Sequence, residues 1–207
     1  MLTIAIAKGR LQEGALALLA RAGIRLSEDA INSRRLALTD ESGQYRFIFV
    51  KPADVPVYVE HGIADCGVVG RDVLLESEAD LLLPLDLGIG RCRIVVAAAN
   101  PEAMTNVQGM IRVATKYSQI ARAHFGARGI PVEIIQLSGS VELAPALGLA
   151  DMIVDLVETG RTLRENGLTV VEEIGESTGR LVVNRASYQL KADEVSRLLN
   201  GLTAAKP

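Results

Sequence analysis

The sequence predicts an α/β fold in two lobes, and three observations carry that expectation. Short apolar runs of strand length, such as Leu2 to Ala7 and Met152 to Val154, alternate along the chain with segments of helical period. Glycines and small polar residues stand where the runs give way to helices, the layout of β-α-β units around a mostly parallel sheet. Two glycine-bearing junctions, near 88–92 and 175–179, bracket the middle of the 207-residue chain like a pair of hinge strands. Residues 1–91 and 176–207 are then a discontinuous lobe I, residues 92–175 are lobe II, and a central cleft lies between them.

In chain order, Leu2 to Ala7 is the first strand and Leu11 to Ala22 the first helix, closed by Gly23. The turn between them, Lys8-Gly9-Arg10, puts two cations at a strand's carboxyl end, where open sheets bind ligands; they suit a phosphate chain, or are solvated charge. Arg35 to Asp40 and Tyr45 to Val50 flank Glu41-Ser42-Gly43-Gln44 as a hairpin. Arg34 and Arg35 before it are either surface charge or part of a loop that closes over pyrophosphate. Asp54 is a candidate cap for a helix from Val55 to His61, with Pro56 tolerated in the first turn. Ala64 to Gly70 is a short strand leading into Arg71-Asp72, a second ligand-facing edge that makes Asp72 a candidate. Leu81 to Leu87 and Arg93 to Ala99 are further strands on either side of the crossing at Gly88-Ile89-Gly90.

In lobe II the order is again β-α-β: a strand at Met110 to Thr115, a helix over Ser118 to Phe125 and a strand at Val132 to Gln136. Lys116 occupies a strand-to-helix turn and either faces a ligand or lies along the surface. Ser138 and Ser140 are candidate caps of a short helix with Glu142 in its first turn. Leu168 to Ile174 and Arg180 to Asn184 are strands. Gln189 to Leu199 is a closing amphipathic helix with Leu190, Val195, Leu198 and Leu199 inward, returning to lobe I.

Composition narrows the partners. With 22 Lys+Arg against 25 Asp+Glu the net charge is −3, so there is no whole-chain basic footprint for nucleic acid and any anion site must be local. Two cysteines, Cys66 and Cys92, have neither metal-ligand spacing nor the density of a secreted disulfide scaffold. No apolar run reaches membrane-spanning length and the opening run is too short for a signal core. The expectation is a cytoplasmic protein that binds neither membrane nor nucleic acid. His61 and His124 are lone histidines, far apart in sequence, and read as structural.

The stretch that organises the chain is Met152 to Leu163. It reads as a strand ending at an acid, Asp155, then Glu158-Thr159-Gly160-Arg161-Thr162-Leu163 opening a helix near Gly160. Two threonines around a glycine let several backbone N–H groups face one point, where a phosphate fits, and the helix dipole adds about 0.3–1 kcal/mol. Asp155 at the strand end can accept hydrogen bonds from sugar hydroxyls. A loop with a plain helix cap is the competing reading.

The segment Ile153 to Leu163 resembles the sugar-phosphate loop of phosphoribosyltransferases. In the large type I class two adjacent acids precede that loop; here Asp155 is followed by Leu156. Four longer blocks, Leu2 to Leu11, Asp54 to Gly62, Gly67 to Asp72 and Ser138 to Pro145, together resemble ATP phosphoribosyltransferase, the first enzyme of histidine biosynthesis, over nearly the whole chain. The resemblance implies a fold like the periplasmic binding proteins (type II) with the active site in the cleft. It implies condensation of ATP with 5-phosphoribosyl 1-pyrophosphate to N1-(5-phosphoribosyl)-ATP and pyrophosphate, with Mg2+ carried mainly by substrate phosphates rather than by a protein metal site. The long form of that family has a further C-terminal domain, whereas this sequence ends at Pro207, so it resembles the short form. That form implies a homodimer and a hetero-oligomer with a regulatory subunit similar to histidyl-tRNA synthetase.

On this basis Glu158, Thr159, Gly160, Arg161, Thr162 and Leu163 are expected at the 5-phosphate and Asp155 at the ribose hydroxyls. Lys8, Arg10, Arg34 and Arg35 are expected at pyrophosphate or the ATP phosphates, and Glu142 at the ribose or the metal's shell. A non-catalytic two-lobed binding protein for an anionic metabolite and a type I transferase acting on a free base are the alternatives.

Overall fold

The computed structural model describes residues 1–27, 35–100 and 109–206. They form two compact units, Met1–Arg91 with Thr178–Pro207 (unit 1) and Cys92–Ser177 (unit 2).

Unit 1 is built on a six-stranded sheet in the order β2-β3-β1-β4-β11-β5. Its strands are β1 (Leu2–Ala7), β2 (Ala37–Thr39), β3 (Tyr45–Val50), β4 (Cys66–Gly70), β5 (Leu82–Asp86) and β11 (Gly179–Val183). β1 is apolar on both faces and runs parallel to β3 and β4. Leu2, Ile4 and Ile6 pack under helices α1 (Gln12–Arg21) and α8 (Ala192–Ala205) with Leu18, Val195 and Leu198, while Ala5 and Ala7 face Val55 and Val59 of α2 (Val55–Glu60). Strand alternation puts the two sets on opposite sides. The sheet is mixed, since β11 is antiparallel to both β4 and β5.

Several local expectations need correction. The hairpin forms between β2 and β3, its turn held by Asp40, whose carboxylate accepts from the N–H groups of Ser42 (3.0 Å) and Tyr45 (2.8 Å). Asp54 makes no cap; it ends a 3₁₀ turn, Pro52–Asp54, that runs directly into α2. Asp72 lies in an unforeseen helix, α3 (Arg71–Glu76). The closing helix is two, α7 (Arg185–Leu190) and α8, broken at Lys191 (φ −123°, ψ 38°), so Leu190 is 84% exposed while Val195 and Leu198 are buried as expected.

The break has a chemical cause. It turns Lys191 Nζ onto both carboxylate oxygens of buried Asp65, at 2.8 and 2.9 Å. Asp65 also accepts from Thr3 N (2.8 Å) and Ser187 Oγ (2.7 Å). These bonds satisfy a carboxylate that burial would otherwise leave costly.

Unit 2 holds a five-stranded sheet in the order β10-β6-β9-β7-β8, from β6 (Cys92–Ala98), β7 (Ile111–Thr115), β8 (Val132–Gln136), β9 (Met152–Val157) and β10 (Thr169–Ser177). β7 is parallel to β8 and β9, whereas β6 is antiparallel to β9 and β10 to β6. Met152 and Val154 face helix α4 (Ser118–Ala127) through Tyr117, Ile120 and Phe125. Ile153 and Val157 face the other way, toward Ala144 of α5 (Leu143–Ala146) and Leu163 of α6 (Arg161–Glu165). His124 is structural, with Nε2 3.2 Å from Glu172 and its ring edge against Phe125. Both cysteines are free and buried, and among the described residues no helix is long and apolar enough to cross a membrane.

Candidate active site

Asp155 is not at a strand end. β9 continues to Val157 because antiparallel β6 goes on pairing with it, Val95 opposite Asp155 and Arg93 opposite Val157. The pleat then places Asp155 between Ile153 and Val157, on the face covered by Ala144 and Leu163. This geometry sets Asp155 on the same sheet face as the segment around Glu142 and the loop 158–163. Burial pushes the Asp155 carboxyl up to about 6; the Leu156 N–H, donating to Oδ1 at 2.8 Å, pulls it down, the charge of Glu142 pushes it up, and that of Lys116 pulls it down. Half-buried, acceptor-only when ionised and flanked by a second acid, it suits a diol.

Gly160 caps α6 in the left-handed conformation (φ 72°, ψ 12°), where a side chain is strained. The loop is anchored by packing rather than by caps. Leu163 is 4% exposed in the same cluster as Val157, so its side chain holds the turn to the sheet and only its amide is available to a ligand. The first amides of a helix have no intrahelical acceptor. Here the Arg161 N–H has only a long bond to Thr159 Oγ1, 3.4 Å, while Glu158, Thr159 and Thr162 are exposed. At five residues α6 contributes little dipole, so the polar groups this loop presents are its exposed amides and hydroxyls. Arg161 is paired with Glu165 at 2.7 Å. Arg164, which sequence reasoning passed over, braces the turn by donating from Nη1 to Thr159 O at 3.2 Å. Its position four residues after the glycine, on the same side of the helix turn, was the available signal.

The serines do not cap α5; Ser138 and Ser140 are exposed, Ser140 has φ 50°, and Glu142 itself occupies the N-cap position without a side-chain cap bond. Glu142 is thereby left to act on Asp155.

In unit 1, Gly9 (φ 88°) makes the turn that follows β1. Arg10 is held rather than free: Nη1 donates to the carbonyl of Gly90, and Nη2 lies 3.5 Å from Asp72 Oδ1. Asp72 is buried, so its carboxylate serves Arg10 in this conformation instead of standing open to a ligand. Gly70 allows the pair to form, because a Cβ there would overlap Asp72 Oδ1. Lys8 is exposed with no carboxylate partner among the described residues, and Arg35 is exposed. Arg34 lies outside the described residues. No group of three His, Cys, Asp or Glu that could hold a metal ion occurs among the described residues.

Comparison with known proteins gives this arrangement its context. The family model for ATP phosphoribosyltransferase matches residues 51–204. The ATP phosphoribosyltransferase of Sorangium cellulosum is 52% identical over 204 residues, covering 99% of this chain and 95% of its own. That of Geobacillus kaustophilus is 51% identical over 207 residues, 100% and 99% of the two chains. Among solved structures, the ATP phosphoribosyl transferase (HisG:HisZ) complex from Thermotoga maritima aligns with TM-score 0.84 at 38% identity, over 99% of this chain and 98% of that one. The periplasmic aliphatic sulphonate binding protein of Escherichia coli aligns with TM-score 0.59 at 14% identity, over 99% and 72%, a likeness of fold alone, of the periplasmic-binding-protein type II kind. A half-buried acid beside a glycine-opened loop, on a chain matched nearly end to end at half identity, leaves one conclusion: the chain belongs to the ATP phosphoribosyltransferase family.

Proposed function

We propose that the chain carries out its family's reaction, condensing ATP with 5-phosphoribosyl 1-pyrophosphate to N1-(5-phosphoribosyl)-ATP and pyrophosphate in the first step of histidine biosynthesis, with the phosphoribosyl group held in unit 2. The observation that carries the site assignment is the shared sheet face of Asp155 and Leu163, which sets a carboxylate beside an amide-rich turn. The amides and hydroxyls of 158–163 take the 5-phosphate. Ionised Asp155 accepts from the ribose hydroxyls, with Glu142 next to it.

Adenine N1 attacks the anomeric carbon as the bond to the pyrophosphate oxygen breaks, and that oxygen keeps the electron pair. Positive charge grows on the sugar and negative charge on the leaving group, so fixed charges matter more than a base. Arg10 meets the developing negative charge, its guanidinium already oriented by Gly90 and Asp72. Lys8, Arg34 and Arg35 bind the pyrophosphate or ATP phosphates. Deleting a contact made only in the transition state costs about 2.7–4 kcal/mol, the scale expected for Arg10→Ala.

Magnesium would come with the substrate phosphates, since that ion usually binds through phosphates and one or two carboxylates and keeps several waters; Asp155 and Glu142 are the carboxylates that act on one another here. Bound there, the ion would neutralise phosphate charge, and Glu142 would be the side chain placed to meet the ribose or the ion's waters. The chain works as the catalytic subunit of the family's short form, a homodimer that joins a regulatory subunit similar to histidyl-tRNA synthetase; its match to the Thermotoga maritima HisG:HisZ complex supports the joining of a second kind of subunit. Its compartment is the cytoplasm, consistent with two free thiols.

The decisive assay is pyrophosphate release. It should occur with ATP and not with hypoxanthine, uracil or orotate. In calorimetry Gly160→Val should weaken 5-phosphoribosyl 1-pyrophosphate binding at least tenfold; unchanged affinity would remove the loop from the site.

A further inference from the structure

In the site described above Lys116 acts only through its charge on Asp155, yet its placement is specific. It follows β7 on the turn into α4, next to Thr115, whose hydroxyl donates to Val154 O at 2.7 Å and accepts from Tyr117 N at 2.8 Å. Val154 directly precedes Asp155, and Thr115 pairs with it in register. The hydroxyl thus staples this turn to the strand that carries the ribose-binding acid. Lys116 is exposed and has no carboxylate partner among the described residues. Other basic groups of unit 2 are committed: Arg93 to Glu173, Arg112 to Asp151, Arg128 to Glu172, Arg161 to Glu165 and Arg164 to Thr159 O. Arg122 is also exposed, but Lys116 is the base whose charge reaches Asp155.

The turn is incomplete in a second respect. Ser118, the first residue of α4, has an Oγ shut from solvent with no hydrogen-bond partner among the described residues, a costly state for a hydroxyl. Charge balance supplies the rest of the argument. Asp155 and Glu142 present two carboxylates to a ligand that is itself a polyanion, and an uncompensated arrangement of that kind repels what it must bind. An ammonium on the adjacent strand end offsets the repulsion and offers three donors to phosphate oxygens.

We propose that Lys116 is a further substrate-binding residue of this site, its ammonium contacting a phosphate oxygen of the phosphoribosyl substrate while Asp155 holds the sugar. The inference rests on the phosphoribosyl reading of unit 2. Because the side chain is exposed, Lys116→Met should leave the thermal midpoint within about a degree or two of wild type, as surface changes do. Calorimetric titration should show at least a tenfold loss of affinity for 5-phosphoribosyl 1-pyrophosphate, with ATP affinity unchanged and Lys116→Arg recovering most of the loss. Parallel titrations with ribose 5-phosphate and inorganic pyrophosphate identify the phosphate: whichever loses affinity in Lys116→Met is the one contacted. Wild-type affinity of Lys116→Met for all three ligands overturns the proposal. The Gly160→Val control separates the two readings. If Gly160→Val loses binding and Lys116→Met does not, the lysine assignment alone fails; if neither does, the phosphoribosyl reading of unit 2 fails with it.

Discussion

Replacing Asp155 by Asn should make the free protein more stable and less able to bind its substrate. The folded carboxyl titrates near 6 against 3.8 for the free side chain. That gap is about 2 pH units, so at about 1.4 kcal/mol per unit the ionised carboxylate costs the native state about 3 kcal/mol. An acid whose folded pKa lies above its unfolded one binds its proton more tightly in the native state, so its effect on stability is neutral below about 3.8. The penalty builds as pH rises toward 6 and stays constant above. Asn keeps the shape and an oxygen for the Leu156 N–H but never ionises. At roughly 2–4 °C per kcal/mol for a chain of this size, the ceiling on the gain at pH 8 is about 6–12 °C. Desolvation of the new amide takes part of it, and several degrees should remain.

Differential scanning calorimetry of wild type and Asp155→Asn from pH 4 to pH 8 makes the comparison. The other shifted acids, among them Asp40, Asp65, Asp86 and Asp151, are common to both proteins and cancel. The gain should be near zero at pH 4 and full at pH 8, and affinity for 5-phosphoribosyl 1-pyrophosphate should fall at least tenfold at pH 8. A variant no more stable than wild type at pH 8, or equally stabilised at both pH values, refutes the idea that burial holds this carboxylate at a cost for the sake of the ligand.

Three further outcomes follow from the geometry. Gly70→Ala is tolerated by the backbone (φ −70°, ψ 145°) but drives a methyl into buried Asp72, so turnover should fall toward that of Arg10→Ala, about a hundredfold on the scale of a lost transition-state contact, with a stability loss of about 1–3 kcal/mol from overpacking. Wild-type turnover in Gly70→Ala would mean that Asp72 does not orient Arg10. Asp65→Ala leaves the Ser187 hydroxyl and the Thr3 amide without their acceptor and frees Lys191 to solvent, and urea unfolding at pH 7 should show a loss of about 2–4 kcal/mol. Because hydrogen bonds from Lys191, Thr3 and Ser187 outweigh burial and hold the folded Asp65 pKa below 3.8, its contribution is present above that value and lost as pH falls through the folded one, so variant and wild type should converge in acid. Burial, with the charge of Asp65 adding, pushes the Cys66 thiol up to about 12, so a thiol reagent at pH 8 should modify it only as fast as the protein opens, and rapid labelling of native protein would contradict its burial.

The sequence by itself determined the local elements and their order, because strand and helix periods, glycine turns and the Thr-Gly-Arg-Thr loop are written in neighbouring residues. Most strands lie within a residue or two of where their apolar runs put them, and the run of β1 is apolar on both faces because it is buried on both. Tertiary structure decided what depends on partners distant in the chain. Antiparallel pairing with β6 lengthened β9 and moved Asp155 from a strand end into its middle, and the reach of Lys191 to Asp65 broke the last helix and turned Leu190 outward. The same kind of reach set buried Asp72 against Arg10 and stapled Thr115, the neighbour of Lys116, to Val154. Each of these is an interaction across 39 or more residues, and the periodicity of a single segment carries no information about which distant charge or hydrogen-bonding group will arrive beside it.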